Sequence, residues 1–214
     1  MKIILPIKDN SARFPGKNFE PFYQGDPLPV VKVRQLLKHF KQSQITVVGD
    51  GPRGRAIADR FGLNWLNDGH INKEGFEWAV RFWFSEVTDD DAVMLTYGTT
   101  PLFIYYKEIM EAWNRDEHDS IFAGSPLRHF VTDEKGRPLN FQYGYFHRTS
   151  EHLPQWVLMD WSCFIIDGKI AREAKYPVGR TPQVYLQPPP SVDIDVEADF
   201  EYARWHYTKL MTDS

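Results

Sequence analysis

"KIILPIKDNSARFPGKN" (residues 2–18) joins an apolar run to a loop dense in cations and turn formers. The first half, "KIILPI", is bounded by polar residues and reads as a short buried strand. The second half carries Lys8, Arg13 and Lys17 around Pro15 and Gly16, more positive charge than a simple turn requires. A glycine-containing loop that leaves the carboxyl end of a strand can aim backbone N–H groups at a phosphate while Lys or Arg neutralises its charge. Three cations there could hold a triphosphate. The stretch is not a P-loop, because the "GxxxxGK[ST]" spacing is absent. A solvated surface loop is the competing reading of the same residues.

Working outward, the strand-and-helix rhythm repeats. "PLPVVKVRQLLKHFKQ" places Val30, Val31, Val33, Leu36, Leu37 and Phe40 near helical spacing, and "QITVVGDG" is a β-branched run closed by Gly and Asp. "RGRAIADRFG" reads as a helix stopped by Gly62, "LNWL" as a strand, "KEGFEWAVRFWFSEV" as an amphipathic helix and "DAVMLTYG" as a buried strand. "YKEIMEAWNRD" and "DSIFAG" continue the alternation. The expected fold is therefore α/β, a mostly parallel sheet with helices on both faces and ligands at the carboxyl ends of its strands. From 126 to 161 the rhythm changes; "TDEKGRPLNFQYGYFHR" reads as a β-hairpin turning at "DEKGRP", a small excursion within a single domain spanning 1–214. "SCFIIDG" and "QVYLQ" resume as strands, and "PPPSVDIDVEADFEYARWHYTKL" passes from a stiff proline run into a last helix.

Composition narrows the partners. A formal net charge of −4 argues against a general nucleic-acid binder, since phosphate-backbone affinity needs a clustered basic face. The single Cys163 excludes an internal disulfide and a cysteine-based zinc site, and its neighbours in "CFII" mark a buried thiol. No stretch approaches the ~20 apolar residues that cross a bilayer, and the N-terminus has no signal-like apolar core; a cytoplasmic protein is expected. Aromatic residues reach 15%, compatible with a pocket or subunit interface as well as with core filling.

A second polar cluster lies in "SVDIDVEADF". In an extended segment Asp193 and Asp195 face one side and Ile194 the other. Two like charges held that close call for neutralisation, which a hard divalent cation with oxygen ligands provides; Mg²⁺ is the natural choice. N-capping of the last helix by Asp195 or Asp199 is the alternative, but it leaves Asp193 without a role. Asp50, after "VVG", is a third strand-end carboxylate, equally explained as a "DG" turn residue.

With these pieces in order the chain resembles the acylneuraminate cytidylyltransferases, the CMP-sialic acid synthetases, and more distantly the CMP-Kdo synthetases. The likeness runs through ordered blocks: "ILPIKDNSARFPGKN", "GDPL", "VVGDG", "TYGTTPL" and "SVDIDVEADF". It implies a Rossmann-like, GT-A-like nucleotidyltransferase fold with 126–161 as a sugar-site and dimerisation excursion. It implies nucleotide contacts from Pro6, Lys8, Ser11, Arg13, Gly16, Lys17, Asn18, Asp50, Tyr97 and Thr99. Lys8, Lys17, Asp193 and Asp195 would be catalytic, the last two holding Mg²⁺. Arg128, Arg148, Asp160 and Phe164 would meet the sugar. The implied reaction joins an anionic sugar to the nucleoside monophosphate of CTP, or of UTP, with release of pyrophosphate, in a homodimer. The chain departs from that pattern in several places: Lys8 stands for an Arg, Tyr97 for a Gln, and Asp160-Trp161 for an Asn-Gly. The base-reading segment is replaced by "LNDGHINKEGF". Two alternatives follow: a sugar-phosphate nucleotidyltransferase using CTP or UTP, and a catalytically silent nucleotide-binding or assembly subunit.

Overall fold

The computed structural model describes residues 1–11, 13–69, 75–85, 91–147 and 149–213. The opening strand β1 (Lys2–Pro6) sits inside a seven-stranded sheet. After it come a small hairpin, β2 (Pro21–Tyr23) and β3 (Asp26–Pro27), and helix α1 (Leu28–Leu36). Then follow β4 (Ile45–Gly49), α2 (Pro52–Phe61), β5 (Asn64–Asn67), α3 (Gly75–Ser85), β6 (Val93–Thr96) and α4 (Tyr106–Ala112). The chain closes with β7 (Ser120–Leu127), β8 (Trp156–Ile166), α5 (Gly168–Ala174), β9 (Pro182–Leu186) and α6 (Glu197–Thr212).

The sheet order is β5-β4-β1-β6-β8-β7-β9. Every pairing is parallel except those of β8, which runs antiparallel to both β6 and β7. Strand side chains alternate between faces. Ile3, Leu5, Val47, Met94 and Ile165 therefore pack with Val33 of α1, Ile57 of α2 and Ile109 of α4. Ile4, Val48, Leu95 and Phe164 point the other way, onto Val80 and Trp83 of α3 and Ala171 of α5. A third cluster gathers Phe22, Leu28, Val31, Leu102, Ile194, Phe200 and Tyr207, and fastens α6 to the β2–β3 hairpin and α1.

Three features depart from the sequence reading. The 126–161 excursion is mostly loop: its hairpin amounts to one bridge, Thr132 to Pro138, closed by Gly136 donating to Asp133. Its two ends belong to the main sheet, with Pro126 opposite Val157 and Leu127 opposite Trp156. Helix α5 and the β2–β3 hairpin were not anticipated. The carboxylate of Asp167 accepts from the amides of Lys169 and Ile170 to start α5, and Gln24-Gly25, both at positive φ, turns the hairpin. Finally, β8 carries a bulge. Phe122 pairs with Phe164 but Gly124 pairs with Met159, and Trp161 within the bulge has φ +54°, a strained value for a bulky residue.

Cys163 has no exposed surface, and burial pushes its thiol far above the ordinary range, so it is the inert thiol its neighbours implied. Among the described residues no helix is long and apolar enough to cross a membrane.

Candidate active site

All strands except β8 run the same way, so the chain leaves β4, β1 and β6 along one edge of the sheet. Asp50, the cationic loop and Tyr97 emerge there. Because β8 runs in reverse, its early residues Asp160 and Trp161 reach the same edge; Thr96 lies opposite Cys163.

The cationic loop is built around two anchors. Asp9, largely buried, accepts hydrogen bonds from the amides of Arg53 (3.2 Å) and Gly54 (3.1 Å) at the start of α2. Arg53 returns the contact. Its guanidinium lies 3.6 Å from the Asp9 carboxylate, donates to the Asp9 carbonyl and stacks 4.0 Å over the Phe19 ring. At the far end Gly16, at φ +81°, makes the turn that a side chain would resist, and the Asn18 side-chain Nδ2 donates to the Lys8 carbonyl at 2.8 Å. Neither Asp9 nor Arg53 was singled out from sequence, where nothing in their spacing marks the pairing.

The distant "DID" segment meets this loop. Ile194 is fully buried in the third cluster, and its amide donates to the Thr99 carbonyl at 2.9 Å. That inward side chain turns Asp193 and Asp195 toward the loop. Lys17 Nζ donates to the Ile194 carbonyl and lies 3.6 Å from Asp195 Oδ1; Arg13 Nη2 lies 2.6 Å from the same oxygen. Asp195 does not cap α6. Asp199 does so, accepting from the amides of Asp195 (2.9 Å) and Val196 (3.0 Å), which leaves the Asp195 carboxylate for the cations.

Electrostatics follow from this geometry. Burial lowers the Lys17 pKa, with Asp195 and Asp193 acting in the opposite sense. Burial raises that of Asp193; Asp195 adds to the rise, while a hydrogen bond from Thr99 and the charges of Lys17 and Arg13 offset it. Burial and the neighbouring carboxylate thus outweigh the two cations at Asp193, which favours further positive charge beside it. No group of three or more acidic, His or Cys side chains gathers among the described residues. Mg²⁺ typically takes only one or two protein carboxylates and completes its shell with water and substrate phosphates, so these two oxygen donors fit it.

Tyr97 stands just past β6. Its hydroxyl is buried with no hydrogen-bond partner among the described residues, burial and then Asp193 raise its pKa, and its ring meets Trp161 edge-on at 6.4 Å. Lys32 of α1 is wholly buried, its Nζ 2.9 Å from the Thr100 carbonyl, 3.3 Å from the Phe103 carbonyl and 2.9 Å from the Tyr106 hydroxyl. It holds the loop that carries Thr99.

Arg13, Lys17, Thr99, Tyr97, Asp193 and Asp195 thus come together. Gly16 and Asn18 shape the loop, Ser11 and Pro6 are half-buried beside it, and Lys8 and Asp50 are exposed at the strand ends. The sugar-side residues divide. Arg128 is exposed just beyond β7, and Arg148 lies outside the described residues. Phe164 corrects the expectation of a sugar contact: it has no exposed surface and packs 5.0 Å from Trp161 and 6.3 Å from Phe122, inside the core. The Asp160 carboxylate is fully engaged by protein donors.

No protein-family model and no curated protein matches the chain. Solved structures share its fold across nearly the whole length. The structure of CMP:2-keto-3-deoxy-manno-octonic acid synthetase complexed with CTP matches with TM-score 0.64 at 14% identity, covering 98% of both chains. The 4-diphosphocytidyl-2C-methyl-D-erythritol synthase from Anaerococcus prevotii matches with TM-score 0.67 at 10% identity, over 97% of this chain and 96% of that one. HddC from Yersinia pseudotuberculosis matches with TM-score 0.60 at 12% identity, over 96% and 99%. The chain therefore has the α/β, Rossmann-like fold of these proteins.

Proposed function

We propose that the protein is a sugar nucleotidyltransferase of the cytidylyltransferase kind, joining an anionic sugar to the nucleoside monophosphate of CTP and releasing pyrophosphate. The observation that carries this reading is the meeting of Arg13 and Lys17 with Asp195 across nearly the whole length of the chain, with Asp193 close enough to feel both charges. One synthetase of the same fold has CTP bound. The cationic loop would wrap the triphosphate, with Arg13 exchanging the Asp195 oxygen for phosphate oxygens as nucleotide enters. Asp193 and Asp195 would hold Mg²⁺, which supplies charge neutralisation at the transferring and leaving oxygens.

In the reaction, a sugar oxygen, already ionised in a sugar phosphate or giving its proton to water in the hydroxyl of an acid sugar, bonds to the α-phosphorus in line with the bond to the bridging oxygen. That bond breaks, and its electrons leave with pyrophosphate. Lys17, held rigidly by the Ile194 carbonyl, stabilises the departing charge, so orientation and electrostatics supply most of the rate. Exposed Arg128 suits the acid or phosphate of the sugar. The exposed Leu139, Tyr143 and Tyr145 of the 126–161 excursion are available to a second copy in a homodimer.

The test is a pyrophosphate-release screen of four nucleoside triphosphates against acid sugars and sugar phosphates. Release that requires one nucleotide and one sugar supports the reading, and the sugar class that works separates an acid from a phosphate. Asp193→Asn and Asp195→Asn, equal in volume, should each lower turnover by at least ~100-fold with the fold intact by circular dichroism. Full activity in either variant removes the metal assignment. Nucleotide binding without turnover over the whole panel leaves a silent subunit.

A further inference from the structure

Asp160 has no capacity left for a sugar, and what occupies it points elsewhere. Its Oδ2 accepts from Ser125 Oγ (3.0 Å), Ser191 Oγ (2.5 Å) and the Gln187 side-chain amide; its Oδ1 accepts from Ser162 Oγ (2.7 Å) and the Ser162 amide (3.4 Å). A carboxylate offers about four lone-pair sites, so five donors saturate it. The donors come from β7, from β8, from the residue after β9, and from the segment that leads into Asp193. Asp160 lies in the β8 bulge, between the residues paired with Phe122 and Gly124 of β7, where the regular strand register is broken.

Ser191 is the informative partner. Between Gln187 and Ser191 the chain reads Pro188-Pro189-Pro190, three residues with no amide hydrogen to give. Ser191 is the first residue after them whose side chain ties the segment down, two positions before Asp193. Farther on, the Ile194 amide bonds to Thr99, and Asp195 and Val196 bond to Asp199. The aspartate pair is thus stretched between the Asp160–Ser191 tie on one side and the start of α6 on the other.

We propose that Asp160 is a positioning residue for the metal pair: through Ser191 it sets where Asp193 presents its carboxylate. This rests on reading Asp193 and Asp195 as metal ligands. Outer partners that orient ligands commonly change metal affinity on the order of 10–100-fold when removed.

The experiment uses the full chain and has two readouts. The first is amide hydrogen exchange over 191–196, and the second is Mn²⁺ binding followed by paramagnetic resonance, without nucleotide. Ser191→Ala should speed exchange across 191–196, leave the β7–β8 peptides protected, and weaken Mn²⁺ binding by roughly 10-fold. Asp160→Asn should weaken it similarly, and Ser191→Thr, which keeps the hydroxyl, should stay near native. Unchanged exchange in Ser191→Ala, or faster exchange with native Mn²⁺ affinity, overturns the positioning role. Asp193→Asn serves as the control: if it binds Mn²⁺ as the native protein does, the metal reading itself fails, whatever Ser191 does.

Discussion

Lys32 shows how far a single residue can depend on its surroundings. Burial lowers its pKa to about 7, with proximity to Cys163 acting weakly against the drop. Its Nζ donates to the Thr100 and Phe103 carbonyls and to the Tyr106 hydroxyl oxygen, with no carboxylate among these partners. The unfolded chain keeps its lysine proton up to 10.5, whereas the folded chain gives it up near 7. Between those values the unfolded state binds more protons, so this residue makes stability rise with pH, by up to about 1.4 kcal/mol per pH unit. Urea unfolding at pH 7.5, 8.5 and 9.5 should show that component in the native protein and not in Lys32→Met. Parallel slopes in the two would mean that Lys32 stays charged. Lys17 carries a different expectation. Lys17→Ala removes a cation from the loop without touching the three hydrophobic clusters, and should raise the KM for nucleotide by on the order of 10-fold, more than it lowers the unfolding midpoint. An unchanged KM would take Lys17 out of the nucleotide site.

At the scale of elements, the cationic loop and α2 behave as one piece. Gly51 precedes α2 with φ −126°, a conformation open to any residue, so its importance is steric. A Cβ there would lie 2.0 Å from the Asp9 carboxyl carbon. Gly51→Ala should therefore cost about 1–3 kcal/mol of stability and weaken nucleotide binding together, as Asp9 and its loop are displaced. Calorimetric titration beside denaturant unfolding checks this; a loss of stability with native affinity would separate loop from helix. Much of this level was legible from sequence. β-branched runs such as "ITVVG" and the 3.6-residue spacing of α1 state their own periods, and the alternation in "DID" puts both aspartates on one side with Ile194 opposite. Other features carry no such mark. Periodicity does not state direction, so β8 gave no sign of running antiparallel. The seven residues of α5 are too few to establish a stripe. The partners of Asp160 are scattered over residues 125, 162, 187 and 191, and only the folded sheet gathers them.

Across the whole molecule, the third hydrophobic cluster is the clasp that brings the two halves of the site together. Phe200 of α6 packs edge-on against Phe14 (5.7 Å), in the cationic loop, and Phe22 (5.4 Å), in the hairpin, with Ile194 in the same cluster. Phe200→Ala should cost about 3–5 kcal/mol and should also weaken nucleotide binding, because it loosens the loop and the aspartate segment at once. Native affinity measured well below the variant's melting temperature would show that the clasp and the site are independent. The clasp also bears on biosynthesis. Lys17 grips the carbonyl of a residue 177 positions further along. A growing polypeptide emerging from the ribosome could form neither this contact nor the clasp until α6 had followed, and in that interval Phe14 and Phe22 would be bare surface for chaperones to recognise.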